Sequence, residues 1–213
     1  MQQISVSPLS RRNSLTMLLA GGLCAIASTL MLQWQLSLML LLPTTIAALF
    51  LLTLGVVKRL DPDVSVLVTP KGIGYHHRRG HWRLPWQQVQ RIDVVRIDGI
   101  ELPFVGIRLR DPLRHIRKVK PRLALALTTE QRGLQRLADP HCPDGHCAIF
   151  IQHDKQNPFN GVKGAYFNHL HILRNQLGFD LYLPHSMLDR HVSDMAQLLR
   201  RCHAQSLQPK LNP

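Results

Sequence analysis

The sequence predicts an α+β protein in which a helical transmembrane hairpin precedes a β-rich domain. Residues 13–57 contain no charged side chain, and Arg11-Arg12 and Lys58-Arg59 flank this run. Beyond the run, short segments of alternating apolar and polar residues, separated by turn residues, predict antiparallel strands. A last segment with apolar residues at helical spacing predicts an amphipathic C-terminal helix.

The charge-free run is long enough for two membrane-spanning helices and too long for one. A hydrocarbon core of about 30 Å is crossed by roughly 20 helical residues. Leu15–Leu32 and Leu36–Val57 have about that length, and Gln33-Trp34-Gln35 is the polar break between them. The chain therefore divides into a cytoplasmic tail over residues 1–13, a two-helix transmembrane hairpin over residues 14–58 and a cytoplasmic domain over residues 61–213.

The flanking cations predict the orientation of this hairpin. Both pairs lie on one side of it, and the Gln-Trp-Gln turn carries no charge. The positive-inside rule therefore places both termini in the cytoplasm. Small residues spaced about one turn apart, among them Gly21, Ala25 and Ser28, predict close packing of the two helices. The sequence leaves open whether this anchor also forms a homo-oligomer.

The domain that follows is basic. The chain has 26 Lys and Arg against 13 Asp and Glu, and 13 of these cations but only four acids fall within residues 71–122. Such an excess predicts attraction to the anionic inner leaflet or to an acidic protein partner. Nucleic acid is a less favoured partner, because Tyr75 and Trp86, which could stack on bases, are needed in the core. The candidate binding residues are Arg78, Arg79, Arg83, Arg114, Arg117, Lys118 and Lys120.

The first half of the domain is predicted to be all strands. Val64–Val68, Ile73–His77 and His81–Leu84 predict an antiparallel meander with Pro70-Lys71-Gly72 as its first turn. Val94–Ile97 and Phe104–Leu109 predict two further strands, joined across an Asp98-Gly99 turn signal and ended by Asp111-Pro112.

The second half mixes helices and strands. Residues 121–138 predict a helix with Pro121 near its start, although a strand followed by a short helix also fits the pattern. Ala148–Ile151 predicts a strand, and Val162–Leu177 predicts a helix that ends at Gly178. Residues 179–183 predict another strand.

The C-terminal helix is predicted to begin at Ser186, with Asp189 completing a capping box. Its apolar stripe consists of Leu188, Val192, Met195, Leu199 and Cys202. A core-packing helix in any α+β domain would carry the same stripe.

One motif in the basic segment resembles a known family. Leu84-Pro85-Trp86-Gln87-Gln88-Val89-Gln90-Arg91-Ile92, preceded by strands and a Lys-Gly-Ile turn, is similar to bacterial pleckstrin-homology-like domains, which often follow two transmembrane helices. The resemblance implies that Trp86, Val89 and Ile92 face the core and that the last helix closes one end of a β-barrel. The overall plan also resembles an uncharacterised family of bacterial inner-membrane proteins that has no established activity. This resemblance implies that the chain lies in a bacterial inner (plasma) membrane.

A cysteine-containing loop is the main alternative site. His141, Cys142, His146 and Cys147 offer zinc ligand types, although the two Cys are spaced more loosely than in common zinc sites. His169 and His171 lie two apart on a predicted helix, so one is expected to pack and the other to be solvated. No cofactor is expected.

The sequence favours a non-catalytic role. It shows no nucleophile elbow, Gly-rich phosphate loop or paired carboxylates in a recognisable arrangement, so no catalytic residues are assigned. The predicted function is a membrane-anchored scaffold that binds a protein partner or anionic lipid headgroups through its basic face. The alternative is a metal- or redox-responsive membrane regulator that uses the Cys142–Cys147 loop.

Overall fold

The computed structural model describes residues 3–8, 13–34, 38–60, 62–138 and 157–207. It divides into two compact units, one formed by Pro8–Asp63 and the other by Met1–Ser7 together with Val64–Pro213. The second unit therefore takes residues from both sides of the charge-free run. The described chain combines helices with antiparallel sheets, after two N-terminal apolar helices, as the sequence predicts.

The first unit consists of helices α1 (Ser14–Gln33) and α2 (Leu38–Arg59). Both helices are long and apolar enough to cross a membrane. Their apolar side chains are largely exposed, since Leu23 is 68% exposed and Met39 is 88% exposed. A core helix of a globular domain would bury a continuous apolar stripe instead. The prediction of two long apolar helices is confirmed.

Two glycines let α1 and α2 approach each other closely. A Cβ atom added to Gly21 would lie 2.9 Å from Leu52 Cγ, and one added to Gly55 would lie 2.7 Å from Leu18 Cγ. Gly21 belongs to the predicted small-residue face, whereas Gly55 on the facing helix was not singled out. Such close approaches provide the van der Waals contacts that hold apolar helices together in lipid.

The second unit begins with a four-stranded antiparallel sheet in the order β1-β2-β3-β4. Its strands are β1 (Ile4–Val6), β2 (Val66–Thr69), β3 (Gly72–His77) and β4 (Gly80–Pro85). Strands β2 to β4 confirm the predicted meander. Strand β1 is not predicted from the sequence, because it lies within the predicted N-terminal tail over residues 1–13.

A second antiparallel sheet contains β5 (Val89–Ile97), β6 (Ile100–Leu109) and β7 (Leu181–Pro184) in that order. Asp98 and Gly99 both have positive φ, 50° and 80°, as tight two-residue hairpin turns require. The motif residues Trp86, Val89 and Ile92 are at most 3% exposed, so their predicted burial is confirmed.

Three short helices follow β6: α3 (Pro112–Lys118), α4 (Pro121–Glu130) and α5 (Arg132–Ala138). The single helix predicted over residues 121–138 is interrupted at Gln131, and the strand alternative is not observed. Helix α3 was missed because Asp111-Pro112 was interpreted only as a strand terminator. Asp111 Oδ1 instead accepts a hydrogen bond from Arg114 N at 3.2 Å and so caps α3.

Helix α6 (Gly161–Leu177) confirms the predicted helix and ends at Gly178, which has a left-handed φ of 78°. The strand predicted over Ala148–Ile151 lies outside the described residues. Strand β7 agrees with the strand predicted over residues 179–183, displaced by one or two residues at each end.

The predicted start of the last helix at Ser186 is wrong, because α7 spans Val192–Leu207. His185–Met187 form a short 3₁₀ turn, and Leu188 N donates to His185 O at 3.0 Å. Asp189 lies before the helix begins, so it completes no capping box there, and its carboxylate instead pairs with Arg190 at 2.7 Å. The apolar stripe is nevertheless buried as predicted, and α7 packs against β5 and β6.

Candidate binding site

The seven cations predicted to bind a partner are all exposed, but they lie on different elements. Arg78 and Arg79 form the turn between β3 and β4, Arg83 lies on β4, Arg114, Arg117 and Lys118 lie on α3, and Lys120 directly precedes α4. Their positions in the sequence predict one basic face. The structure separates Arg83 from the other six, because its side chain belongs to the opposite face of the first sheet.

Two contacts bring β4, α3 and α4 together. The Trp82 ring on β4 meets the His115 ring on α3 edge-on, with the ring centroids 5.7 Å apart. A Cβ atom added to Gly80, at the start of β4, would lie 3.3 Å from Leu123 Cβ on α4. The β3–β4 turn, α3 and the first half of α4 therefore lie on one side of the domain.

Four exposed cations on this side form what we call the cationic helix surface: Arg114, Arg117, Lys118 and Lys120. Within the described residues, no carboxylate forms an ion pair with any of them. Asp111 is the acid closest to them in sequence, and its Oδ1 accepts a backbone N–H bond. Lys163 Nζ donates to the carbonyl of Arg117 at 2.8 Å, which adds a fifth cation at its edge.

A nearby carboxylate offsets part of the charge of the two arginines in the β3–β4 turn. Glu130 at the end of α4 lies 3.7 Å from Arg78 Nη2 and accepts a hydrogen bond from His77 Nε2 at 3.1 Å. His77 Nδ1 in turn accepts from the backbone N–H of Arg79 at 3.2 Å. The hydrogen bond from His77 lowers the pKa of Glu130, against the effect of its partial burial. Glu130 therefore stays ionised and offsets part of the charge of the turn.

Arg83 lines a separate groove on the outer face of the first sheet. The strand register places Leu67, Gly74 and Arg83 side by side, and likewise Thr69, Gly72 and Pro85. Because side chains alternate between faces, the neighbouring residues Val66, Tyr75 and Trp82 point into the core instead. The central strand thus presents two glycines to this face. We call the resulting open space, of about 510 Å³, the glycine groove.

Packing requires glycine at only one of the two groove positions. A Cβ atom on Gly72 would lie 2.2 Å from Leu84 O, so packing alone excludes any side chain there. A Cβ atom on Gly74 would meet nothing closer than Leu67 Cβ at 3.6 Å, an ordinary contact. Packing of the described residues therefore does not explain Gly74. A glycine inside a strand often marks the close approach of a ligand.

Two cations line the glycine groove, Lys71 from the β2–β3 turn and Arg83 from β4. Within the described chain neither one forms an ion pair. His76 lies on the same face as the groove, and its pKa is lowered by desolvation and by His81 and Arg83. Lys71 and Gly74 are not among the binding residues predicted from the sequence. The Gly-x-Gly spacing on an alternating strand was the signal that could have revealed them.

Two histidines, His115 and His169, are buried in the core of the second unit. His115 on α3 is 3% exposed, and burial lowers its pKa to about 4. His169 on α6 is fully buried between Gln135 Oε1 at 2.9 Å and Gln131 Oε1 at 3.2 Å, and burial lowers its pKa to about 4 as well. His171 is exposed, so the prediction that one histidine packs and one is solvated is confirmed.

The candidate metal ligands His141, Cys142, His146 and Cys147 lie outside the described residues. Among the residues that the structure does describe, no group of three or more His, Cys, Asp or Glu side chains could hold a metal ion. Cys202 is buried on the α7 stripe, as expected for an apolar core position.

Residues 66–205 match the model of a family described as a protein of unknown function, DUF2982. The matched range includes β2 to β7 and nearly all of α7, and it begins after the two apolar helices. Comparison with curated proteins and with solved structures gives no significant match.

Proposed function

We propose that this chain, which belongs to the DUF2982 family, is a membrane-anchored, non-catalytic binding protein. Helices α1 and α2 form its anchor. Their exposed leucines would be costly to leave in water, at about 25 cal/mol for each Å² of apolar surface. A bilayer covers such surface without any protein partner.

The pairing of β1 with β2 supports a transmembrane hairpin that begins and ends on the same side of the membrane. Val6 O accepts hydrogen bonds from Ser65 N at 2.9 Å and from Ser65 Oγ at 3.1 Å. Strands paired about 5 Å apart cannot lie on opposite sides of a core about 30 Å thick. The chain therefore crosses an even number of times between them. Lys58 and Arg59 at the end of α2 favour the cytoplasmic face of a bacterial inner membrane.

The strand arrangement favours a pleckstrin-homology-like domain. Four antiparallel strands, then three more, and an amphipathic helix packed on the second sheet agree with the plan that the sequence motif implies. In this proposal the transmembrane hairpin is inserted after the first strand of the domain.

The cationic helix surface is the observation that carries the binding function. Its four exposed cations have no carboxylate partner among the described residues, so they are available to anionic groups. Each Lys or Arg close to an anionic leaflet contributes about 1 kcal/mol of attraction. A membrane anchor keeps the domain near such a leaflet. We therefore favour anionic lipid headgroups over an acidic protein as its ligand.

Lysine footprinting of the full chain tests this function. The chain is reconstituted in nanodiscs of phosphatidylcholine alone or with added phosphatidylglycerol, and Lys118 and Lys120 are acetylated with an amine-reactive reagent. We expect phosphatidylglycerol to slow their modification and added salt to restore it, because exposed charges are screened.

A charge variant and a matched control complete the test. The double variant Arg114→Gln/Arg117→Gln should weaken the protection of the two lysines, whereas Arg96→Gln, on the second sheet and paired with Glu101, should not. Equal modification rates in both kinds of nanodisc would refute lipid binding. Protection that appears only when an acidic protein is added would favour a protein ligand instead.

A further inference from the structure

We infer that the glycine groove is a binding site for a fatty acid, an anionic amphiphile with a single alkyl chain. This site is separate from the cationic helix surface. It combines three features of the first sheet: a floor without side chains, apolar walls and two cations at the rim.

The floor is formed by backbone, because the middle strand lacks side chains where its neighbours have them, and both glycines are buried by the residues around them. Leu67 and Arg83 are the register partners of Gly74 on either side. Any side chain at Gly74 would extend over the floor between them. No described contact requires a glycine at this position, since its nearest neighbour stands at 3.6 Å. A strand keeps such a residue at a cost in stability, which a bound ligand explains.

The walls suit an alkyl chain. Leu67, Pro70 and Pro85 line the groove, and most of its surface is apolar. Its volume of about 510 Å³ is within the range of roughly 300–1,000 Å³ that is usual for small-molecule sites. A groove of that size suits one alkyl chain better than a phospholipid with two chains.

The charges at the rim favour an anionic head group. Lys71 and Arg83 both line the groove, and no described carboxylate lies among the lining residues. His76 lies at the same face, and its pKa is lowered by desolvation and by the nearby His81 and Arg83. A carboxylate would be the first negative charge at this site. Charge-assisted hydrogen bonds from Lys71 and Arg83 would then fix the orientation of the chain.

Photolabelling of the full chain in phosphatidylcholine nanodiscs tests the inference. The probe is tetradecanoic acid with a diazirine on its chain, and the labelled residues are mapped by mass spectrometry. We expect adducts within residues 67–85. Tetradecanol with the same diazirine should label these residues at least about tenfold less, since the loss of even one charge-assisted contact has that effect. Equal labelling by the acid and the alcohol would overturn the inference.

Substitution of Gly74 separates groove binding from general lipid contact. Gly74→Val fills the floor, and valine favours strands, so the sheet should fold normally. We expect labelling within residues 67–85 to fall well below that of the unsubstituted chain, because the valine side chain occupies the floor. The matched control is Gly133→Val, since an atom added to Gly133 meets nothing within 4 Å. Unchanged labelling of Gly74→Val would also overturn the inference.

The outcome is distinguishable from that of the proposed function. Arg114→Gln/Arg117→Gln alters the cationic helix surface and should leave groove labelling unchanged. Lys71→Gln/Arg83→Gln should lower labelling by the acid but not by the alcohol. If the lysine footprint fails and the groove is still labelled, the proposed function is wrong and the groove site stands. If the helix-surface variant abolishes groove labelling, the separate groove site is refuted.

Discussion

Strand β1 gives the sharpest test of the fold, because three residues ahead of the apolar helices are part of the sheet. Val6 is completely buried and pairs with Val66. If residues 1–13 were a free tail, shortening the Val6 side chain would have no effect on stability. In the structure the same change opens a cavity beneath the first sheet. We therefore predict that Val6→Ala destabilises the second unit.

The expected loss follows from the buried volume. Each buried methylene contributes about 0.8 kcal/mol, so the shortened side chain removes about 1.5 kcal/mol of transfer free energy. The cavity that remains raises the expected loss to about 2 kcal/mol. Ser5 lies next to Val6 on the same strand and is exposed. The matched control Ser5→Ala should change stability by less than about 0.5 kcal/mol.

Urea unfolding of the full chain in nanodiscs measures both variants. A Trp34→Phe background leaves Trp82 and Trp86 as reporters of the second unit, since both are buried there. With a slope of about 2 kcal/mol per molar urea, the midpoint of Val6→Ala should fall by about 1 M. Equal midpoints for Val6→Ala and Ser5→Ala would show that β1 does not contribute to the folded domain.

Three further predictions concern buried groups. The pKa values of His115 and His169 are about 4 in the folded protein, so the unfolded chain binds their protons first as the pH falls from about 6.5. Stability should therefore drop by about 1.4 kcal/mol per pH unit for each histidine between about pH 6.5 and 4, measured as urea midpoints. A second unit equally stable at pH 7 and pH 5 would contradict this, and His115→Phe should remove about half of the slope. Asp180 is 1% exposed and accepts hydrogen bonds from Leu109 N at 2.7 Å and from Arg174 Nη1 at 2.9 Å. Asp180→Ala should lower the free energy of unfolding by about 3–5 kcal/mol, because it leaves the partly buried guanidinium of Arg174 without its carboxylate partner. A loss below about 1 kcal/mol would show that this ion pair does not stabilise the second unit. Gly21→Leu should separate α1 from α2, detected as faster hydrogen exchange in both helices, whereas Gly22→Leu should not.

Local sequence patterns account for much of the fold. The absence of charge over residues 13–57 was enough to predict two long apolar helices. Alternation predicted β2 to β4, and Gly178 marked the end of α6 because its left-handed conformation suits glycine. Long-range pairing was beyond such patterns. Strand β1 has three residues, and its partners lie some 60 positions along the chain, so no local periodicity could reveal it.

Some misses came from signals that were interpreted too narrowly. Asp111-Pro112 was taken as the end of a strand, although an acidic N-cap followed by proline is also a helix start. Ser186 and Asp189 have the spacing of a capping box, yet a 3₁₀ turn and the Asp189–Arg190 pair occupy that segment. Capping spacing alone does not show which hydrogen bonds form.

The candidate site was predicted in part. Charge counting identified the basic segment and the cations of α3. It could not divide them between surfaces, since that depends on which face of β4 is buried. The burial of Trp82 sets Arg83 on the outer face, because neighbouring strand residues point to opposite sides. The glycine groove also needed the register, which aligns Gly74 with Leu67 and Arg83.

Cysteine accessibility on the two sides of the membrane tests the central claim, a hairpin that returns the chain to the face from which it started. In a background with the native cysteines replaced, Ser7→Cys and Ala204→Cys provide exposed labelling sites before and after the hairpin. A membrane-impermeant maleimide is added to inside-out and right-side-out vesicles. We predict that both sites are labelled in inside-out vesicles only. Labelling of the two sites from opposite sides would contradict the hairpin and the pairing of β1 with β2.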